Sequence, residues 1–326
     1  MGGLRYALSL LLGASILPVS AQTIRTLDLS GAAANGAAAN KKFYVIFAAR
    51  GGSATGHAFV MWGVEDSVRK RSTIRAFGLY PESDQNACRS AFGRIAGTIV
   101  DESVNHSMID ITDELIVQVD ENYFDRSLQI ARHWECKHEF ELLSRDCVEF
   151  VRAVGNSLYI EMPRRTILQM APRAYVRALM ASVTTGTLTL PDAVYEGSLV
   201  NNRPMGRGVL TFQDESRIDG SFWGLDHLVG SGILHLASGY RYEGAIINYK
   251  AHGAGTLLSA TDTAVLTGRF ESGELKALLR DHTPDRAYSR HRNTMSERVA
   301  AEFGRIEALP AGTARVSRAG SAEVRP

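Results

Sequence analysis

The chain has 326 residues, with 36 basic against 35 acidic side chains, a formal net charge of +1, and 45% of its residues hydrophobic. That balance offers no electrostatic case for nucleic acid as a partner, and the composition is ordinary for a globular protein. Beyond those two points, composition excludes little.

Residues 1–21 carry Arg5, an apolar run through Leu10, Leu11, Leu12, Ile16 and Leu17, and the small-residue ending Val19-Ser20-Ala21. This is the pattern of a secretory signal peptide cleaved after Ala21. Gly13 and Pro18 interrupt the run, which is too short for a membrane span. No cysteine follows the cleavage point, which argues against a lipid anchor of the bacterial type. A periplasmic or secreted protein is expected. Residues 22–41 contain Gly-Ala-Ala-Ala-Asn twice, at Gly31–Asn35 and Gly36–Asn40, and read as a low-complexity linker.

Structure proper is expected from Lys42. The β-branched and aromatic runs Phe43–Ala48, Ala58–Val64, Thr73–Tyr80 and Arg94–Val100 predict four strands, and Ile109–Val119 predicts a fifth. Near-helical spacing of Phe124, Leu128, Ile130, Ala131 and Trp134 predicts a helix over Glu121–Cys136. A second helix opens at Asp146-Cys147, with Val148, Val151, Val154 and Leu158 on its apolar face and Ser144 or Asp146 as its cap. Strands first and helices after predict an α+β domain over residues 42–183.

From residue 190 to 275 the chain repeats itself. Gly197, Gly220, Gly244 and Gly268 recur at steps of 23 to 24 residues, with Gly206/Gly208, Gly230/Gly232 and Gly253/Gly255 in the same phase. Such a period with glycine corners predicts stacked hairpins. Tyr195-Glu196-Gly197 and Tyr242-Glu243-Gly244 open units, and the pattern resembles the membrane occupation and recognition nexus (MORN) repeat. Ile218-Asp219-Gly220 and Leu266-Thr267-Gly268 stand where that signature has Tyr-x-Gly. The resemblance implies an all-β repeat sheet whose surface takes a membrane or protein partner. Residues 276–326 are expected to form one helix, around Ser296–Leu309, and a disordered basic tail.

The candidates for chemistry are His57, at the start of a strand, and Cys147, in the first turn of a helix. A helix N-terminus and a neighbouring imidazole both favour thiolate, so the pair suits a nucleophile and its general base. In an oxidising compartment three cysteines leave one unpaired, and a Cys88–Cys136 disulfide that frees Cys147 is the economical arrangement. Gly56-His57 and Asp146-Cys147 with Phe150 resemble the circularly permuted papain-like superfamily, which includes cell-wall peptide amidases and the lecithin:retinol acyltransferase group. The resemblance covers roughly residues 43–160. It implies a permuted papain-like fold and a thioester mechanism that needs no cofactor.

Export then suggests a peptide or cell-wall amide as substrate, with lipid acyl transfer or an inactive scaffold as the rival readings. The residue that orients His57 is open among Tyr80, Glu82 and a backbone carbonyl. His133, Cys136 and His138 do not make up a complete ligand set of matching spacing, and a helix surface with a disulfide explains them better, so no metal is expected there. His106 and Asp110 sit in a polar segment without a partner, and Gly51, Gly52 and Gly56 are followed by no Gly-Lys-Ser, so they read as a turn.

Overall fold

The structure, a computed structural model, describes residues 22–30, 41–51, 56–66, 72–83, 89–91, 93–105, 111–166, 171–213, 217–224, 229–235, 239–247, 250–282 and 315–317. Two large sheets dominate it, with 59% strand and 20% helix. The expected fold class, an α+β permuted papain-like domain with an all-β MORN sheet and a helical or disordered tail, is therefore corrected: the chain as a whole is mostly β, built on two large sheets.

The first sheet has seven strands, β1 (Thr23–Asp28), β2 (Lys41–Arg50), β3 (His57–Asp66), β4 (Ser72–Pro81), β5 (Ile95–Asp101), β6 (Ile111–Val119) and β7 (Glu139–Phe140), in the order β1-β6-β2-β3-β4-β5-β7. The pairing β1–β6 is parallel, from Thr23↔Asp113 to Asp28↔Gln118, and the remaining pairings are antiparallel. Strand β1 lies inside the segment read as linker. It docks on the sheet edge through Leu27, which is 1% exposed and packs in the main core. The excess of strand over expectation comes from such edge additions, whose pairing is long-range and leaves little mark on local sequence.

Strand alternation gives this sheet two apolar faces. Val45, Phe47, Val60, Trp62, Leu115 and Val117 share one core with the helices α2 (Glu121–Glu135), α3 (Cys147–Ser157) and α4 (Pro172–Ser182). Tyr44, Ile46, Phe59, Met61, Ala76 and Ile116 form a second cluster on the opposite face. A four-residue turn, α1 (Glu102–Asn105), follows β5 directly. Helix α4 is pinned to β6 by Asp113, which is fully buried and accepts from Arg173 Nε at 2.8 Å and Arg177 Nε at 2.7 Å.

Asp113 sets an acid dependence. Burial raises its pKa, but hydrogen bonds from Arg177, Arg173 and Thr112 outweigh that and hold the carboxyl below its ordinary range. Its stabilisation is therefore complete above the unfolded value near ~3.9 and is lost as pH falls through the depressed folded value. Acid titration by circular dichroism should show wild type losing stability below about pH 4. Asp113→Asn should lose less over the same window, and an unchanged slope in that variant would remove Asp113 from the account.

The second sheet has ten strands: β8 (Val183–Thr189), β9 (Ala193–Val200), β10 (Arg203–Phe212), β11 (Arg217–Trp223), β12 (Val229–His235), β13 (Arg241–Ile247), β14 (Lys250–Leu258), β15 (Ala264–Glu271), β16 (Glu274–Asp281) and β17 (Arg315–Ser317). Neighbours from β8 to β16 are consecutive antiparallel hairpins, and β17 pairs with β8 at the far edge. The sheet thus runs past both ends of the expected repeat region, and the tail contributes a strand. The helix expected over Ser296–Leu309 lies outside the described residues.

The two sheets join at β1. Ser221 Oγ donates to the Ser30 carbonyl and Arg25 Nη1 to the Val183 carbonyl. Val200 and Met205 of the second sheet complete the first sheet's core.

Cys136 is free and exposed, and Cys147 is free and buried. The expected bridge is absent among the described residues, and Cys88 lies outside them, as do residues 1–21, His106 and Asp110. No helix among the described residues is long and apolar enough to cross a membrane.

Candidate functional site

Helix α3 begins where the sequence placed it. Asp146 is its cap, accepting from the backbone N–H of Val148 at 3.0 Å and of Glu149 at 3.2 Å. The same carboxylate takes a two-pronged contact from Arg165, at 3.0 and 2.7 Å, and the Leu143 N–H at 2.9 Å. With every lone pair occupied, Asp146 fixes the first turn of α3. Ser144, the other capping candidate, bonds Glu141 instead.

Cys147 is therefore held at a helix N-terminus, and its sulfur accepts the backbone N–H of Ala58, the residue after His57. Its acidity is not enhanced. Burial, and then the negative charge of Asp146, push the thiol up to about 12, against the smaller opposing effects of the Ala58 and Val148 N–H groups and Arg165. The helix terminus was expected to lower this value; a capping carboxylate beside a desolvated sulfur reverses the sign.

His57 opens β3 after Gly56, whose φ is +69° and where an added Cβ would stand 2.8 Å from the Arg50 carbonyl oxygen, leaving no room for a side chain. Pairing with Arg50 puts both residues on the face of Phe59, opposite the helices. The imidazole stacks on Tyr80 at 4.0 Å between ring centroids, and its Nε2 lies 3.4 Å from Glu102 Oε1. Glu102 is 0% exposed. It also receives the Tyr80 hydroxyl at 2.5 Å and the Arg50 guanidinium at 2.9 Å, while Arg50 donates to the Tyr80 oxygen as well.

Burial raises the Glu102 pKa, but hydrogen bonds from His57 and Tyr80 and the charges of His57 and Arg50 bring it below the usual carboxylate range. Glu102 is thus a carboxylate, and Tyr80, pushed up by burial and then by Glu102, stays a phenol that donates.

Glycine makes this meeting possible. A Cβ on Gly78 of the intervening strand β4 would stand 2.5 Å from His57 Nε2 and 2.7 Å from Glu102 Oε1. The structure brings His57 and Cys147 to the same end of β3, with the imidazole on the Glu102 side and the sulfur against the Ala58 main chain. Tyr80 was a named candidate for orienting His57. Glu102 was missed, because it arrives from the end of β5, two strands away from His57. Glu82 instead donates its backbone N–H to the Ala96 carbonyl at 2.9 Å.

The repeat sheet is organised on a glycine rib. Gly186, Gly197, Gly208 and Gly220 are paired across β8 to β11, and Gly232, Gly244, Gly255 and Gly268 across β12 to β15. The Tyr195 ring lies over Gly208 and the Tyr242 ring over Gly255, where added Cβ atoms would come within 2.4 and 2.3 Å of the hydroxyl oxygens. Each tyrosine donates to a carbonyl three residues on, Ser198 at 2.8 Å and Ala245 at 3.0 Å, and each meets a phenylalanine edge-to-face at 5.0 Å, Phe222 and Phe270.

The MORN repeat family matches residues 195–217. Those residues are a MORN repeat. No curated protein matches the chain.

The next unit keeps the glycine register without the tyrosine: Ile218 is fully buried at the equivalent place, and a Cβ on Gly232 would lie 2.3 Å from the Asp219 carbonyl. Among the described residues, no group of three or more His, Cys, Asp or Glu side chains is placed to hold a metal.

Proposed function

We propose that the chain is an exported cysteine hydrolase that cleaves an amide bond, in a substrate such as a cell-wall peptide. The observation that carries this reading is at one end of β3, where a helix-terminal thiol lies against the amide of Ala58, the residue after His57, and a buried carboxylate holds the His57 imidazole. On this reading the imidazole reaches the sulfur around the end of β3 and takes the thiol proton through Nδ1, Nε2 being engaged by Glu102. Sulfur then bonds to the amide carbon, the amine leaves with the proton from His57, and water later cleaves the thioester. The backbone N–H of Cys147 supports the oxyanion. A thiol as weakly acidic as this one gives up its proton as the S–C bond forms, so His57 works as a general base on a neutral nucleophile.

The raised thiol pKa also favours a second reading, a scaffold in which the MORN sheet carries the function and Cys147 is inert core. An electrophilic amide-mimicking probe, mapped by mass spectrometry in a Cys136→Ser background, separates the two. The hydrolase reading expects an adduct on Cys147 that disappears in His57→Ala, and a loss of amide turnover in Cys147→Ala of roughly 10⁴-fold or more. An unlabelled Cys147 in folded protein leaves the scaffold.

A further inference from the structure

A cleft of about 430 Å³ opens where the two sheets meet, far in sequence from His57 and formed by the end of α3, the start of α2 and the β9–β10 and β11 edges. Its walls are aromatic. Tyr123 and Tyr159 stand at 88° with centroids 6.3 Å apart, and Trp223 lies 5.7 Å from Tyr123 at 32°. Its rim carries the Glu161 carboxylate and Arg203, with 3.9 Å between them.

Two observations mark the cleft as more than packing. Tyr159 occupies the position just past the end of α3 where a helix normally places glycine: its φ is +59°, and the N–H groups of Tyr159 and Ile160 return to the carbonyls of Asn156 and Gly155. A bulky aromatic in left-handed backbone is strained, yet this ring is 56% exposed and contributes little to the core. Separately, the buried Trp223 Nε1 has no hydrogen-bond partner among the described residues, although buried donors are nearly always paired.

The charges select the ligand. Arg126, outside the cleft lining, lies 4.9 Å from the Tyr159 ring centroid and donates to its hydroxyl at 2.7 Å, and Arg203 stands beside Glu161, so the charges at and next to the cleft are two guanidinium groups and one carboxylate. That disfavours a cation, the usual occupant of an aromatic cage. What remains is a neutral or acidic ligand that stacks on aromatic faces, accepts from an indole N–H and an arginine, and donates to a carboxylate. Hydroxyl groups on a ring do all of these.

We propose that the cleft between the two sheets is a saccharide-binding site, with a sugar ring stacked on Tyr159, a ring oxygen or hydroxyl accepting the Trp223 indole N–H, and Glu161 and Arg203 fixing its orientation. The site does not depend on the cysteine chemistry. A Cys147→Ala variant binds sugar as wild type does, so failure of one reading leaves the other standing.

The test uses the full chain and saturation-transfer NMR with short β-linked oligosaccharides of glucose, N-acetylglucosamine and uronic acids, alongside tetramethylammonium and adenosine. Saturable binding of at least one sugar is expected, weakened at least about tenfold both in Tyr159→Gly and in Trp223→Phe, which keeps an aromatic face, though a smaller one, and removes the donor. Tyr159→Gly places glycine where the backbone prefers it, so its thermal midpoint should be no lower than wild type, and lost binding there reports the ring rather than unfolding. The proposal is overturned by no saturable sugar binding at millimolar concentrations, by binding that both variants leave unchanged, or by preference for tetramethylammonium or adenosine.

Discussion

Glu102→Ala is expected to destabilise the protein by about 3 kcal/mol or more, because it removes the partner of buried groups rather than a surface pair. The Glu102 side chain is 1% exposed, and its ion partners Arg50 and His57 are 17% and 13% exposed. Without the carboxylate, Arg50 keeps only the Tyr80 oxygen as a described acceptor, and Tyr80 loses the acceptor it now uses at 2.5 Å. Glu102→Gln retains volume and one acceptor oxygen and should cost less than the alanine change. Urea unfolding midpoints measure both, and a Glu102→Ala protein within about 1 kcal/mol of wild type would show that the cluster is solvated and that Glu102 does not hold His57. On the hydrolase reading, Glu102→Gln also lowers turnover more than it raises KM, since a positioning residue acts through the base rather than on bound substrate.

How much of that cluster was legible is decided by chain distance. His57 and Tyr80 lie on predicted strands, and alternation gives the face on which each points. Which strands are neighbours is a property of pairing, and Glu102 sits just past β5, beyond any local pattern that links it to His57. Gly78 is the residue that carries the signal. A glycine within Ala76-Phe77-Gly78-Leu79-Tyr80 marks a close approach, and here the approaching atoms are an imidazole and a carboxylate. The thiol's environment was misjudged for a related reason: the cap was correctly narrowed to Ser144 or Asp146, but a carboxylate cap adjoining a buried sulfur opposes the helix terminus.

Elements with strong local chemistry were read well. β2, β3 and β4 are dense in β-branched and aromatic residues, and α2 and α3 show helical spacing. By contrast, β1 is short and largely exposed except at Leu27, and its stability comes from parallel pairing with a strand some ninety residues away. Helix α4 went unread although Tyr175, Val176, Leu179 and Met180 are buried at helical spacing behind Pro172. The unread strands β1, β8 and β17, rather than α4, account for the wrong fold class. The glycine rib explains the miss at β8: each strand from β8 to β15 gives the rib one glycine, and Gly186 extends the series eleven residues before Gly197, whereas a period of 23 to 24 residues marks full units of two strands.

That rib yields the second large effect. Gly208→Ala is expected to cost about 3 kcal/mol or more, at the upper end of what overpacked cores lose. The new Cβ would stand 2.4 to 2.6 Å from three atoms of the Tyr195 ring and hydroxyl. Tyr195 has nowhere to retreat: it is fully buried, bonded to the Ser198 carbonyl at 2.8 Å and packed edge-on against Phe222. Backbone strain is not the cause, since Gly208 is not among the residues with positive φ. Gly186→Ala on the same rib is the control; its nearest neighbour would be the Leu199 methyl at 3.3 Å, and a loss below about 1 kcal/mol is expected because that methyl can give way. Tyr195→Leu alone should be destabilising through lost ring volume and a lost hydrogen bond. In a double-mutant cycle with Gly208→Ala the two costs should fall short of additive by 1 kcal/mol or more, because the smaller side chain vacates the space that the new methyl needs. Additive costs would place the clash elsewhere, in the backbone of β9, and would deny the tyrosine-over-glycine contact its part in setting the MORN register.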